Sequence, residues 1–274
     1  MELIDFDSHF STFLRAWLEE NSERYGDIRE VEALMPELYQ RFLHTPAIWL
    51  NGALPCDYFS TLPGPQSLLE LMAEYLDTGI PLPDLLLERI AEFGAQAEDP
   101  LYEMLQDETA GTEARMLCIH LLQEMGSLLP LRLYVSWQLV RGDQDELADR
   151  AMESLEEMGE EAVPAMLEAL GDASESGREA LLSVLSRYPD YPEVYEALIR
   201  LFDACPERQT VLSAFLGRLG DARALPLLTA RAEQEGLKYL DYIELRAAIE
   251  ALGGEAPDRT FSDDPEYEAL RGMM

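Results

Sequence analysis

Lysine is all but missing from this chain, and its one occurrence, Lys238, follows Gly236 and Leu237. No phosphate-binding loop ending in Gly-Lys-Ser/Thr can therefore be drawn, and no Gly-x-Gly-x-x-Gly follows a strand. Nucleotide binding by those motifs is excluded. Histidine is nearly as scarce: His9, His44 and His120 stand alone, outside any His-Glu-x-x-His or paired His-Glu arrangement, so no metal site is expected on them. The three cysteines, Cys56, Cys118 and Cys205, are odd in number and lie far apart, which fits neither a disulfide framework nor a metal knuckle. Long apolar runs are absent too: Leu128–Val140 is interrupted by Arg132 and is too short to span a bilayer. With no basic-then-apolar leader at the start, the expectation is a cytoplasmic protein without cofactor.

Acid is what the chain has in excess: 54 Asp and Glu against 20 basic residues, a formal net charge of −34. The excess is spread, with 14 acids and 4 bases in residues 1–80, 34 and 14 in 81–253, and 6 and 2 in 254–274. Such a field repels phosphate backbones and anionic headgroups, so neither nucleic acid nor a membrane surface is an expected partner. A protein partner with a basic segment suits it better. The same charge also serves solubility without any partner.

A repeat emerges when segment ends are compared. Segments closing at Gly94, Gly126, Gly159, Pro189, Gly220 and Gly253 recur at intervals of 32, 33, 30, 31 and 33 residues, a period typical of helix pairs. One position before each end stand Phe93, Met125, Met158, Tyr188, Leu219 and Leu252. Four before stand Ile90, Leu122, Leu155, Leu185, Leu216 and Ile249; eight before stand Leu86, Cys118, Ala151, Leu181, Leu212 and Leu245. All are apolar, and these offsets share one face of an α-helix, so each segment predicts a helix with a buried stripe. Between these B helices lie shorter A helices expected to carry Pro100, Pro130, Pro164, Pro192 and Pro226 near the first turn, where the missing N–H costs nothing. Each pair can bury its apolar faces only by stacking on its neighbours.

The strings GEEAVPAMLEALGD (159–172) and GDARALPLLTARAE (220–233), followed later by Glu244-LRAAIEALG, resemble bacterial HEAT-like repeats of the phycobilin-lyase type. Asp107 with Arg115, and Asp172 with Arg178, resemble the acidic and basic pair those repeats place between helices. The likeness covers roughly 81–253. It implies an all-α solenoid of about six helix pairs with B helices lining the concave side. It implies no single activity, because such repeats occur in scaffolds, chaperone-like factors, lyases and glycosylases.

Residues 1–80 lie outside the period. Helical spacing at 6–20, 28–43 and 65–77 predicts a helical N-terminal cap joined by an aromatic, turn-rich link at Trp49–Pro65. Trp17, Trp49, Tyr58 and Phe59 either fill that cap or line a peptide pocket, and aromatics at helical spacing favour the core. Residues 254–274 are acidic and turn-rich, and predict an ending in a loosely held helix or a disordered tail. The segment Asp143–Asp149 hints at a calcium loop but lacks its central glycine and closing glutamate, and reads better as a helix start.

No acid–base pair stands out, since in so acidic a chain carboxylates neighbour one another by chance. No catalytic residue is assigned, and the leading expectation is a non-enzymatic scaffold or adaptor. The alternative, implied by the resemblance, is a lyase-like or chaperone-like factor for a chromophore-bearing or nascent protein. The candidate partner-binding residues are those that the stripe leaves free: Glu92, Glu124, Glu157, Arg187 and Arg218 two before each end, Glu88 and Glu153 six before, and Glu156 beside them. Together they predict a ridge that is acidic at first and basic later.

Overall fold

The computed structural model of the protein describes residues 1–21, 28–261, 264, 265, 267 and 268. Helix accounts for 72% of the described residues, which contain no strand. No helix among them is long and apolar enough to cross a membrane. Packing divides the chain into two compact units, Met1–Pro130 and Leu131–Met274. The segments 1–80, 81–253 and 254–274 are thus divisions by sequence period, not by packing.

The first unit holds α1 (Phe6–Asn21), α2 (Ile28–Leu43), α3 (Pro65–Thr78), α4 (Asp84–Ala91), α5 (Ala95–Gln106) and α6 (Thr112–Glu124). Its centre is α3, whose Leu68, Leu69, Met72 and Tyr75 are fully buried and which packs on α4, α5 and α6. The Tyr75 hydroxyl donates to Ile4 O at 3.1 Å and accepts from Ile4 N at 3.0 Å, which ties the N-terminal segment to this core. Phe6, buried in its turn, meets the rings of Trp49, Tyr58 and Phe59 at 5.7–5.8 Å. Trp17 and Phe59 are buried while Trp49 and Tyr58 are half-buried, so the aromatic link is mainly core.

The second unit holds α7 (Leu131–Val140), α8 (Glu146–Glu157), α9 (Val163–Ala169), α10 (Glu175–Leu185), α11 (Pro192–Ala204), α12 (Gln209–Leu219), α13 (Leu225–Ala232) and α14 (Tyr239–Ala251). Helices of a pair pack together, as in α7 with α8 and α13 with α14. Neighbouring pairs join A to A, as α7 with α9, and B to B, as α8 with α10 and α12 with α14. This is repeat stacking, and it follows from the stripe. All six positions four before the B-helix ends are 0% exposed, and the six at eight before are 1% exposed or less. Burying a leucine of this kind contributes about 1.5–3 kcal/mol relative to leaving it in water.

Helix ends obey local rules. Gly220 closes α12 at φ 76°, and its N–H donates to Leu216 O, a left-handed cap that a side chain would strain. Asp145 caps α8 by accepting from Ala148 N at 3.0 Å, so the acidic run 143–149 is indeed a helix start. Pro164, Pro192 and Pro226 occupy first-turn positions. Pro100 departs from expectation by lying inside α5; the helix begins earlier because Ala97, fully buried, packs upstream of it.

The C-terminal segment is also better held than its composition suggests. Tyr242 donates to Pro257 O at 2.8 Å, Arg259 reaches Ala232 O and Gln234 O at 2.6 Å, and Asp264 accepts from Tyr239 N at 2.8 Å. Phe261 packs its ring among Tyr239, Tyr242 and Tyr267. Residues 254–261 are therefore a strap over α13 and α14, and their acidity is no guide to their order. Positions 262, 263, 266 and 269–274 lie outside the described residues.

Candidate functional site

With one face of each B helix buried, the opposite face is where side chains are free to act. In the first unit Glu88, Glu92 and Glu124 are all exposed. Glu92 accepts from Arg89 at 2.6 Å, and Arg89 also lies over the Phe93 ring at 4.7 Å. Glu124 closes α6 with His120 Nε2 at 3.5 Å. The remaining carboxylate, Glu88, projects from α4 one turn before Glu92.

In the second unit Glu153 and Glu157 are exposed and Glu156 is half-buried. Glu153 pairs with Arg150 on its own helix. Glu156 pairs with Arg187, which follows α10, so the two oppositely charged candidates consume each other. Arg218 donates to Ser183 O at 3.0 Å, linking α12 to α10, and lies near the Phe215 ring at 5.7 Å. The basic part of the predicted ridge is thus engaged in joining successive B helices. Exposed pairs of this kind contribute about 0–1 kcal/mol each, yet they leave little positive charge to offer a partner. What stays presented is the acid.

Two arrangements here were not foreseen. Arg115 donates to Leu105 O at 3.0 Å, and Arg178 donates to Leu170 O and Ala173 O at 3.0 Å. The repeat arginine therefore satisfies the carbonyls that an ending A helix leaves open. Asp107 instead turns on Thr109, whose hydroxyl and N–H hold its carboxyl below the usual range, and no ion pair joins Asp172 to Arg178 among the described residues. The second arrangement is a cleft of about 300 Å³ lined by Leu170, Gly171, Arg178, Ala197, Arg200, Leu201 and Ala204. Its signal in the sequence was the shortness of the 163–169 helix beside the 192–204 one.

Nucleophiles are poorly placed. Burial pushes the Cys118 thiol up to about 12, which makes it a packing residue. Glu175, Cys205 and Glu207 bring their possible donor atoms within 4.8 Å of one another. Desolvation and then Glu175 raise the Cys205 thiol, so it holds its proton near neutral pH.

Comparison with known families agrees with the geometry over one stretch of the second unit. Residues 147–172, which run from α8 through α9, match the model of the PBS lyase HEAT-like repeat. A search of curated proteins finds no match to the chain.

Proposed function

Starting from a HEAT-like repeat protein, we propose a non-catalytic interaction scaffold whose exposed B-helix faces, taken unit by unit, bind a basic segment of a protein partner. The observation that carries this reading is which charges those faces present. Glu88, Glu92 and Glu124 are exposed in the first unit; in the second Glu157 is exposed, while Arg187 and Arg218 are engaged by Glu156 and Ser183 O. Acid on a free face raises the association rate of a basic partner and fixes its orientation more than it adds affinity. The lyase-like alternative calls for a deep apolar pocket, and the cleft at Leu170–Ala204 stands at the bottom of the size range of small-molecule sites.

The test takes the protein retained from the native host by affinity capture, with its basic segment prepared as a peptide. Glu124→Arg/Glu153→Arg/Glu157→Arg should weaken peptide binding at least tenfold in low salt, and the difference should shrink at high salt. Glu108→Arg/Glu193→Arg/Glu235→Arg changes net charge equally at exposed positions elsewhere and should do less. Equal effects from both variants would reduce the ridge to bulk charge and overturn the proposal.

A further inference from the structure

The A helices of neighbouring pairs in the second unit differ in length: α9 has 7 residues and α11 has 13. At about 1.5 Å per residue, α11 outruns α9 by nearly two turns. Just past the end of α9, at Leu170 and Gly171, a space opens against the C-terminal half of α11. The gap is the cleft walled by Leu170, Ala197, Leu201 and Ala204, with Arg178 and Arg200 as its only charged lining residues.

Two guanidiniums without a carboxylate are out of place in a chain with 54 acids. Several other arginines pair with acids, as Arg208 does with Glu179 at 2.8 Å and Arg223 with Asp221 at 2.6 Å. Arg178 spends Nε and Nη2 on the carbonyls of Leu170 and Ala173, just past α9, and Arg200 spends Nε on Glu196 O at 3.2 Å. Among the described residues no carboxylate pairs with either, so Nη1 of Arg178 and both terminal nitrogens of Arg200 keep their donors. Glu196 and Asp203, one turn to either side of Arg200, are exposed and do not line the cleft.

We propose that this cleft is a binding site for a carboxylate on a short apolar stem. Guanidinium presents planar, paired donors that match a carboxylate, while the alanine and leucine walls suit methylene groups. A phosphate dianion meets the same donors but also twice the repulsion from a chain of charge −34. The site is separate from the acidic B-helix face and does not depend on it.

Arginine Nε–Hε resonances would be followed while the protein is titrated with acetate, butyrate or inorganic phosphate at constant ionic strength. The signals of Arg178 and Arg200 should shift and saturate, and butyrate should bind tighter than acetate by about fourfold for each methylene it buries. A blocked Gly-Glu-Gly peptide, run in parallel, distinguishes a free acid from a glutamate side chain as the source. Arg200→Gln should weaken butyrate at least tenfold, and Arg132→Gln should not. Ala204→Glu, at an exposed site on the rim, should abolish binding by supplying its own carboxylate. The idea fails if shifts stay linear in every arginine, if Arg200→Gln and Ala204→Glu bind as the wild type does, or if phosphate binds tighter than butyrate.

Discussion

The two units solve the same packing problem by different means. Both bury the B-helix stripe, with Leu122 in the first and Leu155 and Leu216 in the second all at 0% exposure. What fills the remaining space differs. The first unit uses rings: His9 stacks on Trp49 at 4.0 Å, and Phe10 meets Tyr39 and Phe42 at 5.0 and 5.4 Å. Large rings tolerate irregular backbone, so the link through residues 44–64 needs no repeat. The second unit instead brings backbones close. Ser174 donates to Arg141 O at 2.9 Å and its N–H to Leu139 O at 3.0 Å, locking the start of α10 to the end of α7. Beneath that lock, buried Gln138 donates to Ala148 O at 3.0 Å. Rings fill the first unit, while in the second close approach joins α7 to α10 and rings gather at the C-terminal strap.

The largest expected effect tests what the units share. Leu122→Ala and Leu155→Ala should each cost about 2–5 kcal/mol, because each leaves a cavity in a fully buried stripe. Chemical denaturation measures the total. Hydrogen exchange adds the location: for Leu155→Ala, protection should fall most in α8 and in α7, α9 and α10, which pack on it or next to it in the stack. A uniform loss over every described helix would contradict nearest-neighbour stacking.

A sharper contrast comes from two glycines. A Cβ on Gly177 would run into Gln138 O and lie 2.8 Å from its carbonyl carbon, and backbone cannot step aside as a side-chain tip can. Gly177→Ala should therefore cost about 1–3 kcal/mol. Gly111, which caps α6 in the first unit with φ −56°, has open space where its Cβ would be. Gly111→Ala removes freedom from the unfolded chain without a clash, and should change stability by less than about 1 kcal/mol. Thermal unfolding of the two variants decides it, and similar losses would erase the distinction drawn between the units.

How much of this could be read beforehand follows the same division. The stripe was legible at offsets of four and eight, where burial is a local, periodic demand and every position named is buried; of the six positions one before the ends only Leu219 is buried, and Phe93, Met125, Met158, Tyr188 and Leu252 are half-buried. Helix starts at Asp145, Pro164, Pro192 and Pro226 were legible because first-turn preferences act within four residues, whereas Pro100 was not such a start. The strap was not, since Arg259 and Tyr242 hold it through carbonyls, and a carbonyl leaves no mark in side-chain composition. Nor was the carbonyl role of Arg115 and Arg178. Of the candidate acids on the ridge, Glu88, Glu92, Glu124, Glu153 and Glu157 are exposed and Glu156 is half-buried. The engagement of Arg187 was not legible, because its partner Glu156 lies 31 residues away.

That pairing supports the smallest prediction. Glu156 and Arg187 belong to successive B helices and are each about half exposed, so water and salt screen their attraction. A double-mutant cycle with Glu156→Gln and Arg187→Gln should return a coupling of about 0.2–1 kcal/mol that declines with added salt. Its value lies in what the single variants do to the face. Arg187→Gln leaves Glu156 unpaired and should make the second unit a better ligand for a basic peptide in low salt. Glu156→Gln releases Arg187 and should make it a worse one. Opposite shifts of this kind would mean that the fold holds its arginines back from a partner. If the two variants moved affinity in the same direction, Arg187 would be a contact in its own right, and the ridge would have to be redrawn with a positive end.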